Sequence, residues 1–128
     1  MNKQLKPTEL EEAVMNMLLE GDEPVKKTLL NQWRNSRITK REHSGVGFFT
    51  YFNVLDTIPR VTEQRKNFTS DDLDDIEVIA RVPELSNGIG FALFISDGQI
   101  DMLEGYTFGE KWPKKVSAFR LEKIKSVK

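Results

Sequence analysis

The 128-residue chain is poor in side chains that perform covalent chemistry, with a single histidine, His43, and no cysteine. Thiol nucleophiles, disulfides and cysteine-based zinc or iron–sulfur sites are excluded by that count. One histidine without cysteine also leaves little from which to build a nucleophilic triad or a histidine metal cluster. His43 itself lies in a basic stretch and reads as solvated. Four aspartates, Asp71, Asp72, Asp74 and Asp75, form an acidic run. A calcium loop needs oxygen ligands at alternating positions, a glycine at its turn and a terminal glutamate; here Leu73 takes a ligand position and the glycine is missing, so no metal is expected. Gly45-Val46-Gly47 and Gly88-Ile89-Gly90 are too short for phosphate loops and lack the Lys-Ser/Thr ending. Asp101 and Glu104 would fall on opposite faces of one strand, which separates them for paired-carboxylate work. No catalytic residue and no cofactor is expected, and the chain does not read as an enzyme.

The acid that stands out is Glu104, because of the hairpin that places it. Asp97-Gly98 between two apolar runs is a strong two-residue turn signal, since a type I′ turn needs positive φ at both central residues. Regular pairing from that turn sets Ile95 against Ile100, Leu93 against Met102 and Phe91 against Glu104 on one face, the more apolar one. A carboxylate beside Phe91 calls for a cation, and Arg81 or Arg120 on neighbouring strands are candidates. Glu104, Phe91 and Arg120 together form a possible pocket.

Further elements frame the hairpin. Thr8 and Glu11 match a capping box ahead of a helix to Glu20, whose apolar positions are Leu10, Val14, Met17 and Leu18. Gly21 stops it. A second helix starts near Pro24 and buries Val25, Leu29, Leu30 and Trp33. From Arg37 the period changes to about two. Arg37 to His43 reads as a polar edge strand, Phe48 to Phe52 as an aromatic strand buried on both faces or under a helix. Asn53 to Asp75 reads as a long surface loop, Ile76 to Val82 as a strand, Tyr106 to Val116 as an aromatic loop and Ser117 to Ile124 as a last strand. The order predicts one domain, residues 1–128. Its class is α+β, with two N-terminal helices packed on one face of a mostly antiparallel sheet of about five strands.

Nineteen basic and twenty acidic residues give a net charge of −1. This balance lacks the basic excess of a nucleic-acid binder and offers no attraction to anionic membranes. No apolar run approaches the roughly 18 residues of a spanning helix. No signal peptide is evident at the start, and a cytoplasmic protein is expected.

Three segments carry a resemblance: Gly45-Val46-Gly47-Phe48-Phe49-Thr50-Tyr51-Phe52, Gly90-Phe91-Ala92-Leu93-Phe94-Ile95-Ser96-Asp97-Gly98, and Leu103-Glu104-Gly105-Tyr106-Thr107-Phe108-Gly109-Glu110-Lys111-Trp112-Pro113. Over about Val46 to Leu121 the chain resembles a family of small bacterial proteins, some of which look like immunity proteins encoded beside contact-dependent growth inhibition toxins. The resemblance brings no catalytic residues. It implies stoichiometric neutralisation of a toxin domain, commonly a nuclease, encoded by a neighbouring gene. A basic toxin surface would be met by an acidic face, which Asp71, Asp72, Asp74, Asp75 and Glu77 can supply. Tyr106, Phe108 and Trp112 are the aromatic partner-binding candidates. The alternative is a small-molecule-binding module with its pocket near Glu104 and Trp112.

Overall fold

The structure, a computed structural model, describes residues 5–62, 66–73, 76–116 and 118–125. Asp74 and Asp75 of the acidic run, and Ser117 at the expected start of the last strand, lie outside the described residues. Two helices, α1 (Glu9–Leu18) and α2 (Pro24–Arg34), precede seven strands: β1 (Ser36–His43), β2 (Gly47–Val54), β3 (Phe68–Thr69), β4 (Ile76–Arg81), β5 (Ile89–Ser96), β6 (Gln99–Thr107) and β7 (Arg120–Lys125). The expected α+β class and the N-terminal helices are present. The sheet is antiparallel in every pairing, in the order β1-β2-β6-β5-β4-β7, with β3 beside the turn end of β5. The last strand, read over Ser117 to Ile124, is present as β7 at the far edge, and the unexpected addition is the two-residue β3 within the segment read as loop, so that the sheet holds seven strands against about five expected.

Thr8 caps α1 with the reciprocal bonds that its spacing predicts. Glu11 N donates to Thr8 Oγ1 over 3.1 Å, and Thr8 N donates to Glu11 Oε1 over 2.8 Å. The buried side of α1 is Leu10, Glu11, Val14, Met15 and Leu18. Met15 therefore faces inward and Met17 lies at the margin, a rotation that also carries Glu11 into the interior. Both helices cover one face of the sheet, where Val14, Met15, Leu19 and Leu29 meet Ala80, Ile89, Leu93 and Leu103 in one core, each fully buried. Trp33 meets Phe52 edge-on at 5.5 Å. Gln32 is a fully buried polar residue of α2. Its buried amide Nε2 donates to Pro59 O (3.0 Å) and Gly98 O (2.9 Å), while Oε1 accepts from Ile100 N (2.9 Å).

The Asp97-Gly98 turn forms with φ of 50° and 76°, as a type I′ turn requires. The register beyond it departs from regular alternation. Ser96 pairs with Gln99 and Ile95 with Ile100, but then Phe94 pairs with Met102, Leu93 with Leu103, Ala92 with Glu104 and Phe91 with Gly105. Asp101 is the extra residue of a β-bulge. The physical reason is burial: the bulge lets Ile100 and Leu103 both point into the core, and strict alternation would have turned Leu103 out and Glu104 in.

Two glycines on β5 and β6 serve as seats for aromatic rings. Gly90 pairs with Tyr106, and a Cβ at Gly90 would come within 2.6 Å of the Tyr106 ring. Gly105 pairs with Phe48 and would meet the Phe48 ring in the same way, on the opposite face. These two glycines of the motif segments are thus accounted for by packing.

Candidate functional site

Helices cover one sheet face only; among the described residues no element packs across the other. The strands present their half-buried positions there in cross-strand rows. One row runs Tyr51, Met102, Phe94 and Thr69; the next runs Phe49, Glu104 and Ala92; a third runs Tyr106, Gly90, Ile79 and Glu122. The aromatic strand β2 is therefore split: Phe48 and Phe52 are in the core, while Phe49 and Tyr51 are on the open face. Phe108, 45% exposed, leans edge-on against Tyr106 at 5.5 Å and extends the apolar stripe.

Acids surround this stripe. The Tyr106 hydroxyl is pushed above the usual tyrosine range, first by burial and then by the carboxylates of Glu77, Asp71 and Glu104. Tyr51 is raised as well, chiefly by donating a hydrogen bond to Glu42, with burial and the charges of Glu42 and Asp101 adding to it. The same bond, with Lys40 nearby, draws Glu42 below the ordinary carboxylate range. At the β7 edge the Arg81 hydrogen bond (Nε to Oε2, 2.6 Å) lowers Glu122, and Arg120 at 3.7 Å assists. Among the described residues, six carboxylates (Glu42, Asp71, Glu77, Asp101, Glu104 and Glu122) thus face four cations (Arg37, paired with Asn53, and Lys40, Arg81 and Arg120), so the face is more acidic than the nearly neutral chain. Lys40 Nζ stands 5.6 Å from the centre of the Tyr51 ring, so this aromatic surface already receives one cation.

The expected site residues divide between two regions. Asp71, Glu77, Tyr106 and Phe108 do come together, joined by Glu104. Asp72 instead caps the 3₁₀ turn Ser70–Asp72, its carboxylate accepting from Thr69 N at 3.0 Å. The pocket expected from Glu104, Phe91 and Arg120 is not assembled. The bulge puts Glu104 on the open face opposite Phe91, which is 3% exposed in the core, and Arg120 stands on β7, three strands from β6. Trp112 leaves the aromatic loop for the helix side, where its ring meets Phe48 edge-on at 5.4 Å and its backbone N–H donates to Gly45 O over 2.8 Å.

Trp112 there lines a cavity of about 330 Å³ between the start of α1, the end of β1 and the residues Trp112, Val116 and Phe119. Phe48, Trp112 and Phe119 form aromatic walls, and Glu9, Glu11, Arg41 and His43 border them. Glu11 is 1% exposed and fully engaged: Oε1 accepts from Thr8 N and from Arg41 Nη2 (2.7 Å), and Oε2 from Arg41 Nε (3.0 Å) and from the Thr50 hydroxyl. Sequence reasoning found Glu11 only as a cap, and Arg41 not at all, because the pair spans 30 residues. Among the described residues no group of acids and histidine is placed to hold a metal, and no helix is long and apolar enough to cross a membrane. No family model matches the chain, and no curated protein or solved structure matches it significantly.

Proposed function

We propose that the chain is a non-catalytic binding protein that captures a basic protein surface on its open sheet face, and that it acts as an immunity protein of the bacterial cytoplasm. The partner in this reading is the toxin domain of a contact-dependent inhibition system encoded by a neighbouring gene. A nuclease toxin fits best, since a surface that collects phosphates is basic. The carrying observation is the union of half-buried aromatics with an acidic surround on the face that the helices leave open. Tyrosine and its neighbours provide apolar contact area that becomes strong when desolvated at an interface centre. The carboxylates steer a basic partner and fix its orientation.

Co-purification with that toxin domain and rescue of toxin-inhibited growth test the reading. The intact chain should bind and rescue; the double variant Glu77→Lys, Glu104→Lys should bind at least about tenfold more weakly and lose part of its salt dependence. No binding and no rescue by the intact chain would overturn the immunity role. Unchanged binding by the double variant would move the interface off this face.

A further inference from the structure

The cavity beside Trp112 lies on the helix side of the sheet and has no part in the open-face reading. We infer that it is a site for a free small organic cation of the alkylammonium class. Three observations support this. Its volume of about 330 Å³ is that of a small-ligand site. Phe48 and Trp112 present rings inclined at 77° to each other with centres 5.4 Å apart, and Phe119 closes the wall. The pair is edge-on and Phe48 is buried beneath it, so the half-buried rings of Trp112 and Phe119 supply the electron-rich surface that attracts an ammonium group. Leu10 and Val116 supply apolar contact for the methyl groups.

The charges at the rim select the sign of the ligand. Glu11 has all its acceptor capacity taken by Arg41, Thr8 and Thr50, so that acid and that guanidinium offset each other. Glu9 remains, exposed at the mouth and without a salt bridge among the described residues. Glu9 is thus the one lining carboxylate without a cation partner among the described residues. An ammonium group meets a carboxylate and aromatic faces there; an anion meets Glu9 without compensation.

The test is a titration of the full chain with choline, followed through the indole N–H resonances of Trp112 and Trp33. Its neutral isostere, 3,3-dimethyl-1-butanol, and benzoate are run in parallel. Choline should shift the Trp112 resonance saturably and leave buried Trp33 unmoved. The alcohol and benzoate should bind at least about fivefold more weakly, the discrimination expected of a cation–π and carboxylate site. Glu9→Gln, a surface change with the Trp33 resonance as its folding check, should weaken choline about threefold or more. Equal binding by the alcohol, absence of a saturable shift, or an unchanged affinity in Glu9→Gln would each overturn the inference. Phosphatidylcholine vesicles should not sediment the chain; co-sedimentation would overturn the assignment to a free ligand in favour of a lipid headgroup.

Discussion

Replacing Glu11 by alanine is expected to destabilise the chain by about 3–5 kcal/mol, the range for breaking a buried ion pair by removing one partner. The structure sets where in that range the cost falls. The carboxylate is 1% exposed and receives four hydrogen bonds. Its loss strands the Thr50 hydroxyl, which is fully buried, at about 1–3 kcal/mol. The Arg41 side chain keeps 19% exposure, so its guanidinium recovers some water and its share of the cost is reduced. For a chain of this length about 3–5 kcal/mol corresponds to a fall in Tm of roughly 10–20 °C. Arg41→Ala should cost at least as much, because it leaves the less exposed charge unpaired. Urea unfolding of Glu11→Ala, Arg41→Ala and the double variant, followed by tryptophan fluorescence, gives the coupling energy. A value of about 2 kcal/mol or more is expected. A coupling below about 0.5 kcal/mol would refute the claim that this pair joins α1 to β1.

Gly105→Ala and Gly90→Ala each push a Cβ into an aromatic ring, and each should lower stability by about 1–3 kcal/mol in chemical denaturation. Deleting Asp101 should be tolerated within about 1 kcal/mol, because removal of the extra residue leaves Ile100 and Leu103 both inward; loss of the folded far-UV spectrum would refute the bulge. Glu122 has a lowered pKa, so its contribution is present above the unfolded carboxylate value of about 4.3 and vanishes as pH falls through the folded value. The stability difference between wild type and Glu122→Gln should accordingly shrink below about pH 4. Both tyrosines are raised, so absorbance titration at high pH should find Tyr51 and Tyr106 ionising above the free value of about 10, and Glu42→Gln should bring Tyr51 back toward it.

The parts of the fold that were legible in the sequence are those set by neighbours in the chain. Thr8 and Glu11 are three residues apart, so the capping box is written locally. Asp97-Gly98 dictates its own turn. The bulge at Asp101 has no local signature. It follows from a conflict over which residues are buried, settled by a core that includes helices some 70 residues earlier. Leu103 beside Glu104 was the available signal: regular pairing buried the acid and exposed the leucine. The side taken by Trp112 is not legible for a related reason. Its glycine- and proline-flanked loop permits either face, and the choice rests on Phe48 and on the carbonyl of Gly45. The cavity was invisible because its lining comes from three separated segments.

Gln32 has a consequence for the order of events in folding. The Asp97-Gly98 hairpin closes over a few residues, and such hairpins form in about 1–10 μs. Yet the amide of Ile100 takes the Gln32 side chain, 68 residues away, as its partner, and the carbonyl of Gly98 accepts both from Gln32, 66 residues away, and from the amide of Val61. An early hairpin therefore carries a backbone amide, that of Ile100, that stays hydrated until α2 docks and supplies the Gln32 oxygen. Contacts of such long sequence separation slow folding. Gln32→Leu should thus speed unfolding far more than it slows folding, marking α2 docking as a late event on the native side of the barrier.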